Sequence, residues 1–178
     1  MTAYIALLRG INAGKNRRVD MKKLEALFER SGYADVSTYI NSGNVIFYSD
    51  KMASEIRREI EVALKKEFKF DIPTLIKSRK EMQDIAKAIP GKWQNDAEQR
   101  TDVAYLFEEI DSKKTLDTMP VNKEYIDVRY VKGAIYWNID RKNYNKSRLN
   151  KLIGHKFYQS MTVRNVNTAR FLAGYTTG

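Results

Sequence analysis

The order of apolar patterns in the first 78 residues limits the fold of this chain most narrowly. Residues 3–9 form a short apolar run typical of a strand, and residues 20–31 space their apolar side chains as one helical stripe. Two short runs on either side of a turn at residues 41–44 indicate a β-hairpin. Residues 53–69 form an amphipathic helix and residues 72–77 a strand. The predicted order is β-α-β-β-α-β, the split βαβ or ferredoxin-like arrangement.

The second half also mixes strands and helices. Residues 102–108, 125–131 and 134–140 are predicted strands, whereas residues 141–157 and 162–174 are predicted helices. No sequence repeat is visible. We therefore predict an α+β protein in which a ferredoxin-like first half, residues 1–78, packs against a second, smaller α+β half, residues 79–178.

The positive charge is concentrated near the C-terminal end. The chain has 32 basic and 22 acidic residues, a net charge of +10. Residues 141–178 contain eight bases and no acid, namely Arg141, Lys142, Lys146, Arg148, Lys151, Lys156, Arg164 and Arg170. Such a segment attracts anions and suggests contact with phosphate or nucleic acid. The alternative is a solvated basic face that only increases solubility.

Composition excludes several classes of chemistry. The chain has no Cys, which excludes disulfides, thiolate catalysis and Cys-ligated metal centres, and a single His excludes multi-histidine sites. No apolar run approaches the ~20 residues of a membrane span, and the N-terminus has no signal-peptide pattern. We therefore predict a cytoplasmic protein without a metal or cofactor.

The first candidate site is the glycine-containing basic loop after the first strand. Backbone N–H groups freed by glycine, together with a helix N-terminus, can bind an anion. The spacing fits neither a Walker loop nor a dinucleotide-binding motif. Asp20, the predicted N-cap, would compete for the same N–H groups, and the alternative is a purely structural loop. The candidate ligand-binding residues here are Arg9, Asn12, Gly14, Lys15, Arg17 and Arg18.

The segment Asn41-Ser42-Gly43-Asn44 is a second candidate, although its residues are those expected of a hairpin turn. We expect the first and third strands to run parallel. That direction would place this turn and the first loop at opposite ends of the sheet, so the two segments need not share a site.

The third candidate is the predicted start of the last helix, where Thr162, Arg164 and Asn165 would suit a phosphate or carboxylate. Lys146 and Arg148 could form the other wall of such a site. The alternative is N-capping by Thr162 or Asn165, with Arg164 paired to a carboxylate of the other half.

Three segments together resemble one family. LLRGIN at residues 7–12 with Gly14, TYINSGNV at 38–45 with Phe47, and TVRNVNT at 162–168 are similar to three signatures of the bacterial family called domain of unknown function 1697. Two departures are Lys15, where many members have a second glycine, and the lack of a Trp near Val166. The resemblance implies a ferredoxin-like first half and a related α+β second half, and it implies no activity.

The sequence thus supports three functional hypotheses. The first is a non-catalytic module that binds a phosphate-bearing small molecule or nucleic acid through a basic surface. The second is an enzyme acting on a small anionic substrate held between the first loop and the last helix. The third is a protein-interaction module that uses a free sheet face. Catalytic signals are few, since the lone His155 is typical of a capping residue.

Overall fold

The strands form two separate antiparallel sheets. The computed structural model describes residues 1–174, and in this range eight strands make two four-stranded sheets. The chain divides into two units, Met1–Arg79 and Lys80–Gly178, each containing one sheet. The second unit is the longer of the two, so the prediction of a smaller second half is wrong. The α+β class itself is confirmed.

The first unit has strand order β2-β3-β1-β4. Its elements are β1 (Thr2–Leu8), α1 (Met21–Arg30), β2 (Ala34–Tyr39), β3 (Asn44–Ser49), α2 (Ala53–Phe68) and β4 (Thr74–Ser78). Strand β1 pairs antiparallel with β3, with Tyr4 opposite Phe47, and antiparallel with β4. The predicted parallel direction of the first and third strands is therefore wrong.

Local signals in the sequence account for the two helices of this unit. Asp20 accepts a hydrogen bond from the Lys23 backbone N–H at 3.0 Å, which fixes the start of α1. The apolar residues at helical spacing face one core together with one side of the sheet. The core residues from the helices are Leu24, Leu27 and Phe28 of α1 and Ile56, Ile60 and Leu64 of α2.

The second unit has strand order β6-β7-β5-β8. Its elements are α3 (Arg79–Ala88, beginning at the last residue of the first unit), β5 (Gln99–Leu106), α4 (Lys113–Asp117), β6 (Asp127–Val131), β7 (Ala134–Asp140), α5 (Tyr144–Ser147), β8 (Met161–Asn165) and α6 (Val166–Gly174). Residues 162–165 are thus a strand, not the start of a helix. Met161 and Val163 belong to the core of this unit, and β8 pairs with β5 along its length.

The long helix predicted for residues 141–157 is also wrong. The segment consists of short 3-10 turns, Arg141–Asn143 and Leu149–Gly154, on either side of the one-turn helix α5. The Ser147 hydroxyl donates to the Tyr144 carbonyl at 2.6 Å and accepts from the Leu149 N–H at 3.2 Å. Arg148 then has a left-handed backbone, with φ of 60°, and such a residue ends a helix.

The two units repeat one arrangement that the sequence did not reveal. Their sheets have the same order when strands are numbered within each unit. Equivalent bonds form at the ends of β1 and β5, the first strand of each sheet along the chain. The Leu8 N–H donates to the Gly43 carbonyl at 2.9 Å, and the Leu106 N–H donates to the Gly133 carbonyl at 2.9 Å. A helix also directly follows the fourth strand of each sheet, α3 after β4 and α6 after β8.

Candidate anion-binding surfaces

Asn12 joins the first loop to the turn between β2 and β3. Its side-chain amide donates to the Val19 carbonyl at 2.9 Å and to the Asn41 carbonyl at 2.8 Å, and its oxygen accepts from the Val19 N–H at 2.8 Å. Its φ of 55° is in the left-handed region that Asn tolerates better than most residues. The side chain therefore holds two loops together rather than offering its amide to a ligand.

The two loops meet because β1 and β3 run antiparallel. Strand β2 is also antiparallel to β3, so β1 and β2 point in the same direction and both end at one edge of the sheet. The expectation that the first loop and the turn lie at opposite ends of the sheet is therefore wrong.

Close packing at this edge explains the glycine of the turn. Gly43 has a φ of 87°, and a Cβ atom there would lie 2.7 Å from Ile11 Cδ1 and 2.9 Å from Leu8 Cβ. No larger residue fits without displacing both neighbours. Gly43, a residue of the second family signature, is thus required where the turn packs against the first loop.

Arg17 is used in building the loop. Its Nε donates to the Gly10 carbonyl at 2.8 Å, its Nη2 donates to the Asp71 carbonyl at 2.7 Å, and its guanidinium lies 4.6 Å from the centre of the Phe70 ring. Arg9 is half-buried. Gly14, Lys15 and Arg18 are exposed, and within residues 1–174 neither Lys15 nor Arg18 forms an ion pair.

A shallow depression of about 560 Å³ lies where these loops meet the start of α1. Its lining residues are Asn12, Arg18, Val19, Asp20, Met21, Lys22 and Asn41. Arg18 and Lys22 give it two cationic side chains, while the Asp20 carboxylate accepts the Lys23 N–H as the helix cap. Lys22 was not among the predicted site residues, although a basic residue on the exposed face of the first helical turn, beside the basic loop, is a signal visible in the sequence.

The third predicted site is not an exposed anion site. Arg164 is only 6 % exposed, and its Nη1 donates to the Thr162 hydroxyl at 2.8 Å and to the Val163 carbonyl at 3.0 Å. Burial lowers the pKa of the Arg164 guanidinium to about 10. Asn165 accepts the Thr168 N–H at 3.0 Å and so caps α6, as the capping alternative predicted, whereas Thr162 lies inside β8.

Lys146 and Arg148 lie on the surface of the second unit. Both are exposed, and the Lys146 ammonium is 5.5 Å from the centre of the Tyr125 ring. Lys142 and Lys151, on the 3-10 turns on either side, are exposed as well. In the described part of the chain none of these four forms an ion pair with a carboxylate. They are a basic segment that remains available to an anionic partner.

The side chain of His155 is engaged within the second unit. His155 Nε2 is 2.9 Å from the Thr118 carbonyl, and its Nδ1 accepts the Phe157 N–H at 3.2 Å. The ring therefore links the end of the 3-10 turn Leu149–Gly154 to Thr118, the residue after α4.

Among residues 1–174 no three His, Asp or Glu side chains are grouped to hold a metal ion, and no helix could cross a membrane. The residues from Ile5 to Leu8 are all buried, so β1 presents no exposed apolar face.

These features define a basic protein of two α+β units, each with a four-stranded antiparallel sheet. The family described as "Protein of unknown function (DUF1697)" matches residues 1–136, and the chain belongs to this family. The match includes the first two signatures and ends before residues 162–168.

A solved structure has the same fold. The conserved bacterial protein SP0830 from Streptococcus pneumoniae is 26 % identical in sequence, with a TM-score of 0.84 over 97 % of each chain. No curated protein matches the sequence.

Proposed function

We propose that this protein is a non-catalytic module that binds a phosphate-bearing ligand, a nucleotide or a nucleic acid, through its basic surface. The observation that supports this proposal best is the depression beside the Asn12–Asn41 hydrogen bond, with Arg18 and Lys22 in its wall. Lys15 lies in the same loop and adds a further exposed cation.

The size and charge of the depression favour a nucleotide-sized anion. Ligand pockets usually enclose about 300–1,000 Å³, and this one has about 560 Å³. Arg18 and Lys22 supply flexible charges that can follow a phosphate chain. The loops behind them are held by the three hydrogen bonds of Asn12, so the backbone of the site is ordered before a ligand arrives.

The exposed bases of the second unit favour the nucleic-acid form of the proposal. Lys142, Lys146, Arg148 and Lys151 follow one another on short turns. Unpaired cations spaced along a surface segment suit the regularly spaced phosphates of a polynucleotide. Tyr125, beneath the Lys146 ammonium, places an aromatic ring beside this segment.

An enzyme that acts on a small anionic substrate is the second proposal. The part of the original hypothesis that used Arg164 is no longer supported, because that side chain is buried and bonded within β8. Only the depression of the first unit favours an enzyme. Asp20 and Lys22 in its lining are the polar groups that could act on a substrate there.

The fold and location complete the proposal. We propose that the strand order β2-β3-β1-β4 and its repeat β6-β7-β5-β8 make both units ferredoxin-like. We also propose a cytoplasmic location.

A thermal-shift titration with ATP and with a short single-stranded RNA tests the binding function. A ligand that binds only the folded state raises the melting temperature of the intact protein. We expect a rise with at least one of the two, a smaller rise for Lys22→Glu, and an unchanged rise for Lys23→Glu. Lys23 is the matched control because it is exposed on the same helical turn outside the depression. The proposal would be contradicted if neither ligand raised the melting temperature, or if Lys22→Glu and Lys23→Glu reduced that rise equally.

A further inference from the structure

A second, smaller cavity lies wholly within the second unit, at the edge of its sheet. It has a volume of about 220 Å³ and is lined by Arg100, Ile139, Arg141 and Tyr144. Arg100 lies opposite Ile139 in the β5–β7 ladder, and Arg141 directly follows the last residue of β7. The side chains of two arginines and one tyrosine therefore line one small space.

Both guanidinium groups are fixed in place by other parts of the unit. Arg100 Nε donates to Asp102 Oδ2 at 2.7 Å, and the same carboxylate oxygen accepts the Trp137 Nε1–H at 3.2 Å. Asp102 is buried, so this anchor is held inside the core. The Arg100 guanidinium also lies 5.5 Å from the centre of the Tyr144 ring.

Arg141 is anchored by the segment that precedes β5. Its Nε donates to the Asp96 carbonyl at 2.6 Å, and its Nη2 donates to Asn95 Oδ1 at 2.9 Å. The Asp96 carboxylate accepts the backbone N–H groups of Gln99 and Glu98, both at 2.9 Å, and these bonds, together with the charge of Arg141, lower the pKa of that carboxyl. The anchors of Arg141 therefore leave its Nη1 group available.

We propose that this cavity binds an oxyanion group, the phosphate or carboxylate end of a small ligand. The described part of the chain gives the two terminal nitrogens of Arg100 no hydrogen-bond acceptor, and together with Nη1 of Arg141 they provide several N–H donors at one site. Paired guanidinium donors match the geometry of phosphate and carboxylate oxygens.

The cavity is smaller than the ~300 Å³ at which pockets for whole drug-sized ligands begin, so it holds one charged group and not an entire nucleotide. This site contains none of the residues around Asn12. It therefore stands or falls independently of the binding function proposed for the depression of the first unit.

Arginine side-chain N–H spectra of the intact protein test the proposal directly. Titration with inorganic phosphate or with acetate should shift the Nε–H signals of Arg100 and Arg141 with a common dissociation constant. The ion that binds more tightly identifies the group as phosphate or carboxylate. Absence of a saturable shift at both arginines with either ion would overturn the proposal.

Matched variants separate this site from general attraction of anions. Arg141→Gln should weaken binding of the tighter ion by about tenfold or more, since it removes a charged donor. Lys92→Gln makes the same change of charge at an exposed residue of the same unit outside the cavity and outside the basic segment, and it should change affinity less than about twofold, as for a screened surface charge. Equal weakening by the two variants would overturn the proposal. Arg141 is the residue to change because loss of Arg100 would leave the buried Asp102 carboxylate without its cation.

Discussion

The side-chain amide of Asn12 donates a hydrogen bond of 2.8 Å to the backbone carbonyl of Asn41. This bond connects the first family signature to the second, across 29 residues of sequence. The surface proposed to bind an anion is built around this bond, because both residues line the depression that contains Arg18 and Lys22.

Removal of the Asn12 side chain should destabilise the first unit. Asn12→Ala loses three hydrogen bonds of roughly 1 kcal/mol each and also places Ala at a positive φ, so we expect a loss of about 3–5 kcal/mol. Asn12→Gly loses the same bonds without the backbone strain and should be about 1 kcal/mol less damaging. Urea denaturation measures both. A loss below about 1 kcal/mol for Asn12→Ala would show that the bonds contribute little.

Gly43 and Gly14 provide a matched comparison of packing and backbone strain. Both have positive φ, 87° and 86°, but a Cβ atom at Gly43 would collide with Ile11 and Leu8, whereas one at Gly14 meets nothing within 4 Å. Gly43→Ala should cost about 2–4 kcal/mol of unfolding free energy and Gly14→Ala only about 1 kcal/mol. The same denaturation experiment compares the two, and equal losses would contradict the packing argument.

The buried phenol of Tyr33 predicts a change of stability at alkaline pH. Burial raises the pKa of Tyr33 above its usual value, and its hydrogen bond to Glu59 at 3.1 Å raises it further. The folded state thus keeps a proton that the unfolded state releases, so this contribution is complete below pH ~10 and is lost as the pH rises further.

Between about pH 10 and pH 12, Tyr33→Phe should therefore lose less stability than the parent protein, and the difference in their free energies of unfolding should narrow. Phe is the suitable replacement because it keeps the ring that packs on Phe28 and Phe47. Urea denaturation at several pH values gives that difference directly. If the difference in free energy of unfolding between the two proteins stays constant over this range, the Tyr33 phenol does not have the raised pKa described above.

The elements of the first unit could be predicted because their signals are local. Asp20 ends the loop as a capping residue, and the apolar residues of α1 and α2 recur at helical spacing. Such patterns depend on residues a few positions apart in sequence, and they identify helices without knowledge of the rest of the fold.

Strand direction and the last signature could not be predicted in this way. Residues 162–165 contain a hydroxyl and an amide that suit a helix start, and Asn165 does cap α6. They form a strand because they pair with β5, a partner some 60 positions away that no local pattern reveals. The same pairing places Arg164 in a buried position, which removed the cation on which the third site depended.

The structural repeat is not visible in the sequence, because it is preserved by backbone hydrogen bonds and not by particular side chains. The Gly43 and Gly133 carbonyls accept equivalent hydrogen bonds within turns of different sequence. A different side chain also links loop to turn in each unit. In the first it is Asn12, and in the second Asp111, which accepts the Gly133 N–H at 2.9 Å.

The salt dependence of RNA binding tests the central claim, that exposed cations of this protein hold phosphate groups. Fluorescence anisotropy of a labelled short single-stranded RNA should show affinity that falls steeply between about 50 and 200 mM salt. Lys146→Glu with Arg148→Glu should reduce the slope of log affinity against log salt by about 1.4, the share of two phosphate contacts. Lys113→Glu with Lys114→Glu makes the same change of net charge at two exposed residues of α4 and should leave the slope unchanged. Affinity that does not respond to salt, or an equal effect of the two double variants, would contradict the account.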